Sequence, residues 1–373
     1  MDATLFKMGS YPEEDVTFLL KDLSNVKIER STIERESAIQ KGVHYSEMLP
    51  IEYKPSQQYI NLFSTSLEET KEKIALYVAI VAEQIISEKG FNIVLSSLAR
   101  AGTPIGVLIK RYIQFRYHRV VPHYSISIVR DRGIDENALH FILANHKDKK
   151  IVFVDGWTGK GAIKKQLDFS IKVFNEKYNQ EISSELAVLA DPGYCSSLYG
   201  TRDDFLIPSA CLNSTVSGLV SRTVLNRSLI GSSDFHGAKF YKELLSEDLS
   251  NFYVDTISSQ FSAISSLVQQ ELENIKNEHI APDWRGLISI QSIQDDYKIS
   301  NTHYIKPGVG ETTRVLLRRV PWKILINTSE KSNLGHILML AKERGVPVVE
   351  YNNMSYSCCG LIKQMENKDE SVR

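Results

Sequence analysis

The sequence predicts an α/β protein built on a parallel sheet flanked by helices, with a small α/β unit at its C-terminal end, and two observations carry this reading. Between residues 91 and 190, short apolar runs of strand length alternate with segments of helical period, which is the pattern of parallel strands buried on both faces and joined by helical crossovers. After residue 305 the texture resets into a helix, strand, helix, strand succession of roughly seventy residues, a size that folds as its own domain. The division is therefore residues 1–305, with an N-terminal arm and a helical insertion, and residues 306–373.

Each element follows from its local pattern. Residues 1–60 are polar, with Pro12, Pro50 and Pro55 interrupting any period, and read as an irregular arm or partial hood. Ser66 followed by Glu69 resembles a capping box, so a long amphipathic helix is placed at 66–89. Strands follow at 91–97, 123–129, 150–156 and 185–191, with helices at 105–118, 137–146 and 161–178 between them. A fifth strand is read at 204–212, and residues 215–300 are mostly helical. In the C-terminal unit helices are expected at 313–320 and 332–345, and strands at 323–327 and 346–351.

Composition narrows the class. Of 373 residues 42% are hydrophobic and 24% charged, which excludes wholesale disorder. Lys and Arg number 44 against 45 Asp and Glu, so any basic surface must be local. Four cysteines, Cys195, Cys211, Cys358 and Cys359, form neither a disulfide framework nor a C-x-x-C pair. The first residues lack a basic stretch followed by an apolar run. A cytoplasmic protein without membrane association is expected.

Open α/β sheets carry their chemistry beyond the carboxyl ends of the strands, and three loops there are suited to anions. The most informative follows the strand at 150–156: Asp155 stands at its end, and Gly156, Trp157, Thr158, Gly159, Lys160 and Gly161 lead into a helix. Glycine-freed N–H groups, a hydroxyl and a helix N-terminus together make an anion nest. This is not a Walker A loop, because Lys160 is followed by Gly161 rather than Ser or Thr. In the second loop Arg100, Ala101 and Gly102 offer a guanidinium fork and a close backbone approach. The third contributes Arg130, Asp131 and Arg132. Three such loops on one sheet edge imply a ligand with several phosphates.

The order of these loops resembles the type I phosphoribosyltransferases, with Arg100 to Pro104 similar to their pyrophosphate loop. Longer stretches, VFVDGWTGKGAI, residues 204–226, DFHGAKF, PDWRGL and HYIKPGVGETTRVLLRRVPWKILI, resemble the bacterial phosphoribosyltransferase family of tellurite-resistance stress operons. Members of that family carry a C-terminal Pelota-like (L7Ae-like) RNA-binding domain, and some relatives are labelled cysteine peptidases. The resemblance implies phosphoribosyl transfer from phosphoribosyl pyrophosphate to a base or base-like acceptor, giving a ribonucleotide. Magnesium, with Asp155 as its ligand, and Arg100, Arg130 and Arg132 would then neutralise the leaving group. Asp155 would hold the sugar hydroxyls, and Thr158 to Gly161 the 5'-phosphate. The family pattern has two adjacent acids where this chain has Asp155 and Gly156, which leaves open a non-catalytic nucleotide- or RNA-binding protein on the same scaffold. The expected partners are a phosphosugar, a base and structured RNA, and a homodimer is expected.

Residues 191–226 are dense in polar groups, among which Asp204 and Asn213 bracket the fifth strand and are candidates to face the acceptor. Asp234, His236 and Lys239 form a lesser cluster. For a peptidase, Cys211 lies in an apolar segment and reads as an inert core thiol, whereas Cys195 follows Pro192-Gly193-Tyr194 in a loop and reads as exposed. Between residues 306 and 346 eight Lys and Arg stand against three Glu. That local positive bias makes Arg314, Arg318, Arg319 and Lys323 candidates for RNA contact, or for a phosphate clamp over the neighbouring site.

Overall fold

The computed structural model describes residues 7–278, 281–329 and 334–363. Its centre is a six-stranded, wholly parallel sheet. The strands are β1 (Thr17–Phe18), β2 (Ile93–Leu98), β3 (His123–Ile126), β4 (Lys150–Trp157), β5 (Leu186–Ala190) and β6 (Leu198–Thr201), in the order β1-β3-β2-β4-β5-β6. Alternate residues of β2, β4 and β5 enter two different cores. Leu95, Val152, Val154, Ala187 and Leu189 point to one face, and Val94, Ile151, Phe153, Leu186 and Val188 to the other. Burial on both faces explains the unbroken apolar runs in the sequence.

Helices α1 (Gln57–Lys89) and α2 (Gly102–Tyr117) cover the first face, and α3 (Glu136–Asn145) and α4 (Ala162–Tyr178) the second. Along α1 the fully buried Ile74, Val78, Ala82 and Ile85 recur at helical spacing. Each such aliphatic side chain larger than alanine contributes about 1.5–3 kcal/mol of transfer free energy. The helix starts earlier than the sequence suggested, with Ser56 as its N-cap. Ser66 lies inside it, and its hydroxyl donates to the Phe63 carbonyl at 3.0 Å rather than capping.

Two further differences concern the fifth strand and the N-terminal arm. The fifth strand is not at 204–212: Pro208 opens a 3-10 turn (Pro208–Ala210), and β6 supplies the ladder instead. The N-terminal arm is largely irregular, with strands of only two residues, but it is integral to the fold. Tyr11, Val16, Phe18 and Leu20 are buried in the main core, and β1 extends the sheet beside β3. Residues 217–249 are largely irregular, and helicity resumes with α5 (Ser250–Ser258), a short turn of helix (Phe261–Ile264), α6 (Val268–Glu278) and α7 (Arg285–Asp296).

The C-terminal unit holds a four-stranded mixed sheet of β7 (Ile305–Pro307), β8 (Pro321–Ile326), β9 (Val348–Glu350) and β10 (Cys358–Ile362) in the order β7-β10-β8-β9. Helices α8 (Val309–Arg318) and α9 (Gly335–Glu343) pack on one face, where Val309, Leu316, Ile337 and Leu340 join the same core as Phe205 and Leu206. On the opposite face Ile290 and Ile293 of α7 meet Leu325, Cys359 and Leu361. The two units therefore share one continuous apolar core. Among the described residues no helix is long and apolar enough to cross a membrane.

Candidate functional site

Strand β4 ends at the carboxyl edge of the sheet beside the loop that follows β2, and the two backbones touch there. A Cβ on Gly102 would stand 2.3 Å from the Val154 carbonyl oxygen, so only glycine fits. This contact fixes Asp155 at the floor of a cleft of about 270 Å³ between the central sheet and the C-terminal unit. Gly161, with φ of +75°, turns the chain from that floor into α4.

The cleft is lined by Asp155, Arg130 and Lys160 from the first unit and by Lys306, Glu311 and Arg314 from the second. By area Asp155 is half-buried, yet its carboxyl is closely surrounded by protein atoms. That desolvation, only partly opposed by the Gly156 N–H donating at 2.7 Å, pushes its pKa up to about 7. Burial, then the charges of Lys306 and Arg130, pull Lys160 down to about 8, while its ammonium donates to the Thr302 carbonyl at 2.6 Å. Burial also lowers Lys306, reinforced by Arg319 and Arg130 against the pull of Glu311. Arg314 donates to the Ala210 carbonyl at 2.9 Å and to Glu311 at 2.8 Å, and lies over the Trp157 ring.

Other residues singled out in the sequence are engaged elsewhere. Arg100 sits 3.5 Å from Glu52 and reaches Asn213 and the Val220 carbonyl. Burial would raise the Glu52 carboxyl, but Arg100 and the Ser214 N–H outweigh it and hold it below the usual range. Arg132 pairs with Glu47 and donates to the Leu225 carbonyl. The Asp131 N–H donates to Gln166 at 2.7 Å. Thr158 turns its hydroxyl to Asp191, and the Gly159 carbonyl accepts from the Tyr356 hydroxyl at 3.1 Å. Ala101 lines the cleft, and Gly156 lies against the Ala101 carbonyl. Asp204 is a strut between the units: its two carboxylate oxygens accept the Val309 N–H at 2.8 Å and the Ser357 N–H at 2.9 Å. Asp234 pairs with Lys21, His236 meets Ser127 at 2.8 Å, and Lys239 pairs with Glu29, so that cluster ties the arm down. Of the four candidates for RNA contact, Arg319 is exposed and Lys323 lies over the Trp322 and Tyr297 rings, whereas Arg314 faces the cleft. The side chain of Arg318 lies outside the described residues.

Cys195 is 2% exposed, which corrects its reading as an exposed loop thiol. It lies beneath the Thr158–Gly161 turn that floors the cleft: a Cβ on Gly161 would come within 3.5 Å of its Sγ. The buried Asp191 carboxylate organises this loop, accepting the Cys195 N–H at 3.1 Å, the Ser196 N–H at 2.9 Å, the Arg202 guanidinium and, at 3.6 Å, the Cys195 thiol. Burial raises the Cys195 thiol against the opposing pull of Thr158 and Lys164. Burial pushes Cys359 up to about 12 and Cys358 well above the usual thiol range. Cys211 is enclosed in the main core. Sequence reasoning missed Lys306 and Glu311 as cleft residues; the Lys-Pro-Gly step read only as a junction, and nothing local marked it as part of a site.

A family model described as "Tellurite-like stress resistance cysteine protease StiP" matches residues 9–258. The cysteine protease StiP of Acinetobacter baylyi is 34% identical over 377 residues, spanning 96% of this chain and 94% of that protein. The chain belongs to the StiP family. A second model, described as a PELOTA RNA binding domain, matches residues 284–364, in accord with the separate C-terminal unit. Among solved structures, the xanthine-guanine-hypoxanthine phosphoribosyltransferase of Helicobacter pylori is 17% identical, with a TM-score of 0.21 over 33% of this chain and 72% of that one. The hypoxanthine phosphoribosyltransferase of Trypanosoma cruzi is 13% identical, with a TM-score of 0.25 over 35% of this chain and 77% of that one.

StiP-family membership corrects the expectation of a phosphoribosyltransferase, since both the family model and the relative carry the name of a cysteine protease. The residue geometry gives a physical reason. Arg100 and Arg132 are tied to Glu52 and Glu47, and the Thr158 hydroxyl is turned to Asp191, so the three loops do not converge on one polyphosphate. Phosphoribosyl pyrophosphate as co-substrate falls with that activity, as do the phosphosugar and base partners. The magnesium expectation is corrected too: among the described residues no group of three or more His, Cys, Asp or Glu is placed to hold a metal ion.

Proposed function

We propose that the chain hydrolyses peptide bonds through a cysteine nucleophile, and that this nucleophile is Cys195. Membership of the StiP family supports the class of reaction. The observation that carries the choice of residue is the position of Cys195 directly under the cleft-floor turn, inside residues 9–258, with its thiol directed at the Asp191 carboxylate. Cys211 is the other cysteine in that span, and it is enclosed in the apolar core.

In the reaction the Cys195 sulfur adds to the scissile carbonyl carbon, the C–N bond breaks, and the departing amine takes up the thiol proton. Water then cleaves the thioester, leaving a carboxylate and restoring the thiol. Cys195 is buried beneath the Thr158–Gly161 turn, so attack requires that turn to move off it. The C-terminal unit is proposed to contact RNA, supported by the description of its family model and by the exposed Arg319.

Incubation with an unfolded protein such as reduced casein tests the reading. Cleavage is expected from the native chain and from Cys211→Ser, and its loss from Cys195→Ser. Cleavage that survives Cys195→Ser removes that residue, and no cleavage by the native chain removes the activity.

A further inference from the structure

The cleft has an imbalance of charge that the nucleophile does not explain. Five cations line it, and two of them have carboxylate partners: Lys164 pairs with Asp168, and Arg314 with Glu311. Arg130, Lys160 and Lys306 have none at ion-pair distance among the described residues. They come from three separate places, the loop beyond β3, the floor turn after β4, and β7 of the C-terminal unit, and the fold brings them to one wall of space. The Nε of Arg130 is buried without a hydrogen-bond partner. An unpaired buried donor and converging like charges both cost stability, and an oxyanion placed among them would offset both.

We propose that Arg130, Lys160 and Lys306 form an oxyanion-binding subsite that takes the carboxylate of an acidic residue in a peptide substrate. The peptide part rests on the peptidase reading above; the oxyanion part rests on three cations without a carboxylate partner among the described residues. A guanidinium and two ammonium groups suit a carboxylate, because the planar fork of arginine meets both oxygens while each ammonium supplies a point charge. Asp155 forms no ion pair with any of them among the described residues; its carboxylate accepts the Gly156 N–H instead. Lys306 belongs to the C-terminal unit, so the subsite is complete only while the two units stay together.

Phosphate shares this chemistry, and the experiment separates the two. Fluorescence anisotropy on the full-length Cys195→Ser chain would use a labelled glycine–glutamate repeat decapeptide and its glutamine counterpart. The glutamate peptide is expected to bind at least about tenfold more tightly at low salt, with most of that preference lost in Lys306→Gln and in Arg130→Gln. Equal binding of the two peptides, or a preference unaffected by both substitutions, overturns the proposal. Displacement by millimolar inorganic phosphate without any preference for glutamate makes this a phosphate subsite and overturns the peptide assignment. Glutamate-selective binding by a chain that never cleaves peptide upholds the subsite while the peptidase reading falls.

Discussion

A Cβ on Gly286 would stand 2.7 Å from the Gly193 Cα and 2.2 Å from the Tyr356 hydroxyl oxygen. The first turn of α7, the helix that packs on the C-terminal sheet, thus lies directly on the loop that carries Cys195, two residues beyond Gly193. The same loop is held by the Trp284 N–H donating to the Tyr194 carbonyl at 3.0 Å, and Trp284 itself covers Gly161. Trp284 and the start of α7 thus brace both the loop that carries Cys195 and the Gly161 turn above it.

Gly286→Ala should loosen that contact. The added methyl has no space, and overpacking of this kind costs about 1–3 kcal/mol, which a shift of α7 away from the Cys195 loop would relieve. Alkylation of Cys195 by iodoacetamide, followed by peptide mass mapping, is expected to quicken about tenfold or more, since about 1.4 kcal/mol corresponds to a factor of ten. An unchanged rate in a folded variant would show that the Gly193–Gly286 contact does not control access.

Asp204→Ala removes the acceptor for two N–H groups of the C-terminal unit, Val309 and Ser357. Both donors are buried, and leaving each unsatisfied costs about 1–3 kcal/mol. The melting temperature should fall by several degrees, and limited proteolysis should begin to cut near Gly308. Resistance equal to that of the native chain would count against Asp204 as the strut.

How far these features were legible depends on what kind of contact makes them. Strand β4 and the glycine turn beyond Asp155 were readable because the pattern is local: a run buried on both faces ends at a carboxylate and a flexible turn. Arg100 and Arg132 read as anion forks because their partners, Glu52 and Glu47, arrive from the N-terminal arm, tens of residues away. Lys306 joins Lys160 through the docking of a second sheet, which no periodicity records. The helix start was misplaced because Ser66 and Glu69 satisfy a capping pattern inside a helix whose apolar stripe already runs through them. Pro208 was the missed sign that residues 204–212 could not form an interior strand.

Asp191→Asn should disturb the Cys195 loop more than its nearly identical shape suggests. Asp191 is fully buried and faces Arg202, whose guanidinium lies over the Tyr194 and Tyr199 rings. Removing one member of a buried pair leaves the other charge uncompensated, typically at about 3–5 kcal/mol. Urea unfolding should show a loss of that order, and Asp191→Asn with Arg202→Gln should recover part of it. A loss below about 1 kcal/mol would mean that solvent or the aromatic rings already compensate Arg202.

The carboxyl of Asp155 predicts how stability varies with pH. In the folded chain desolvation raises its pKa to about 7, against about 3.9 for an exposed aspartate. Below about pH 4 the group is protonated in both states and contributes nothing. Between about 4 and 7 the folded chain holds a proton that the unfolded chain has released, so raising the pH removes stability across this window, and the full cost stands above it. For a wholly enclosed carboxyl the cost would be about 4 kcal/mol; solvent at its half-buried edge reduces this to about 2. Asp155→Asn keeps the shape and abolishes the titration. Its stability relative to the native chain, from urea unfolding, should therefore rise by about 2 kcal/mol between pH 4.5 and pH 8. A difference that stays flat over that range would show that Asp155 is ionised in the folded protein throughout, and that the cleft carries one more negative charge than its enclosure implies.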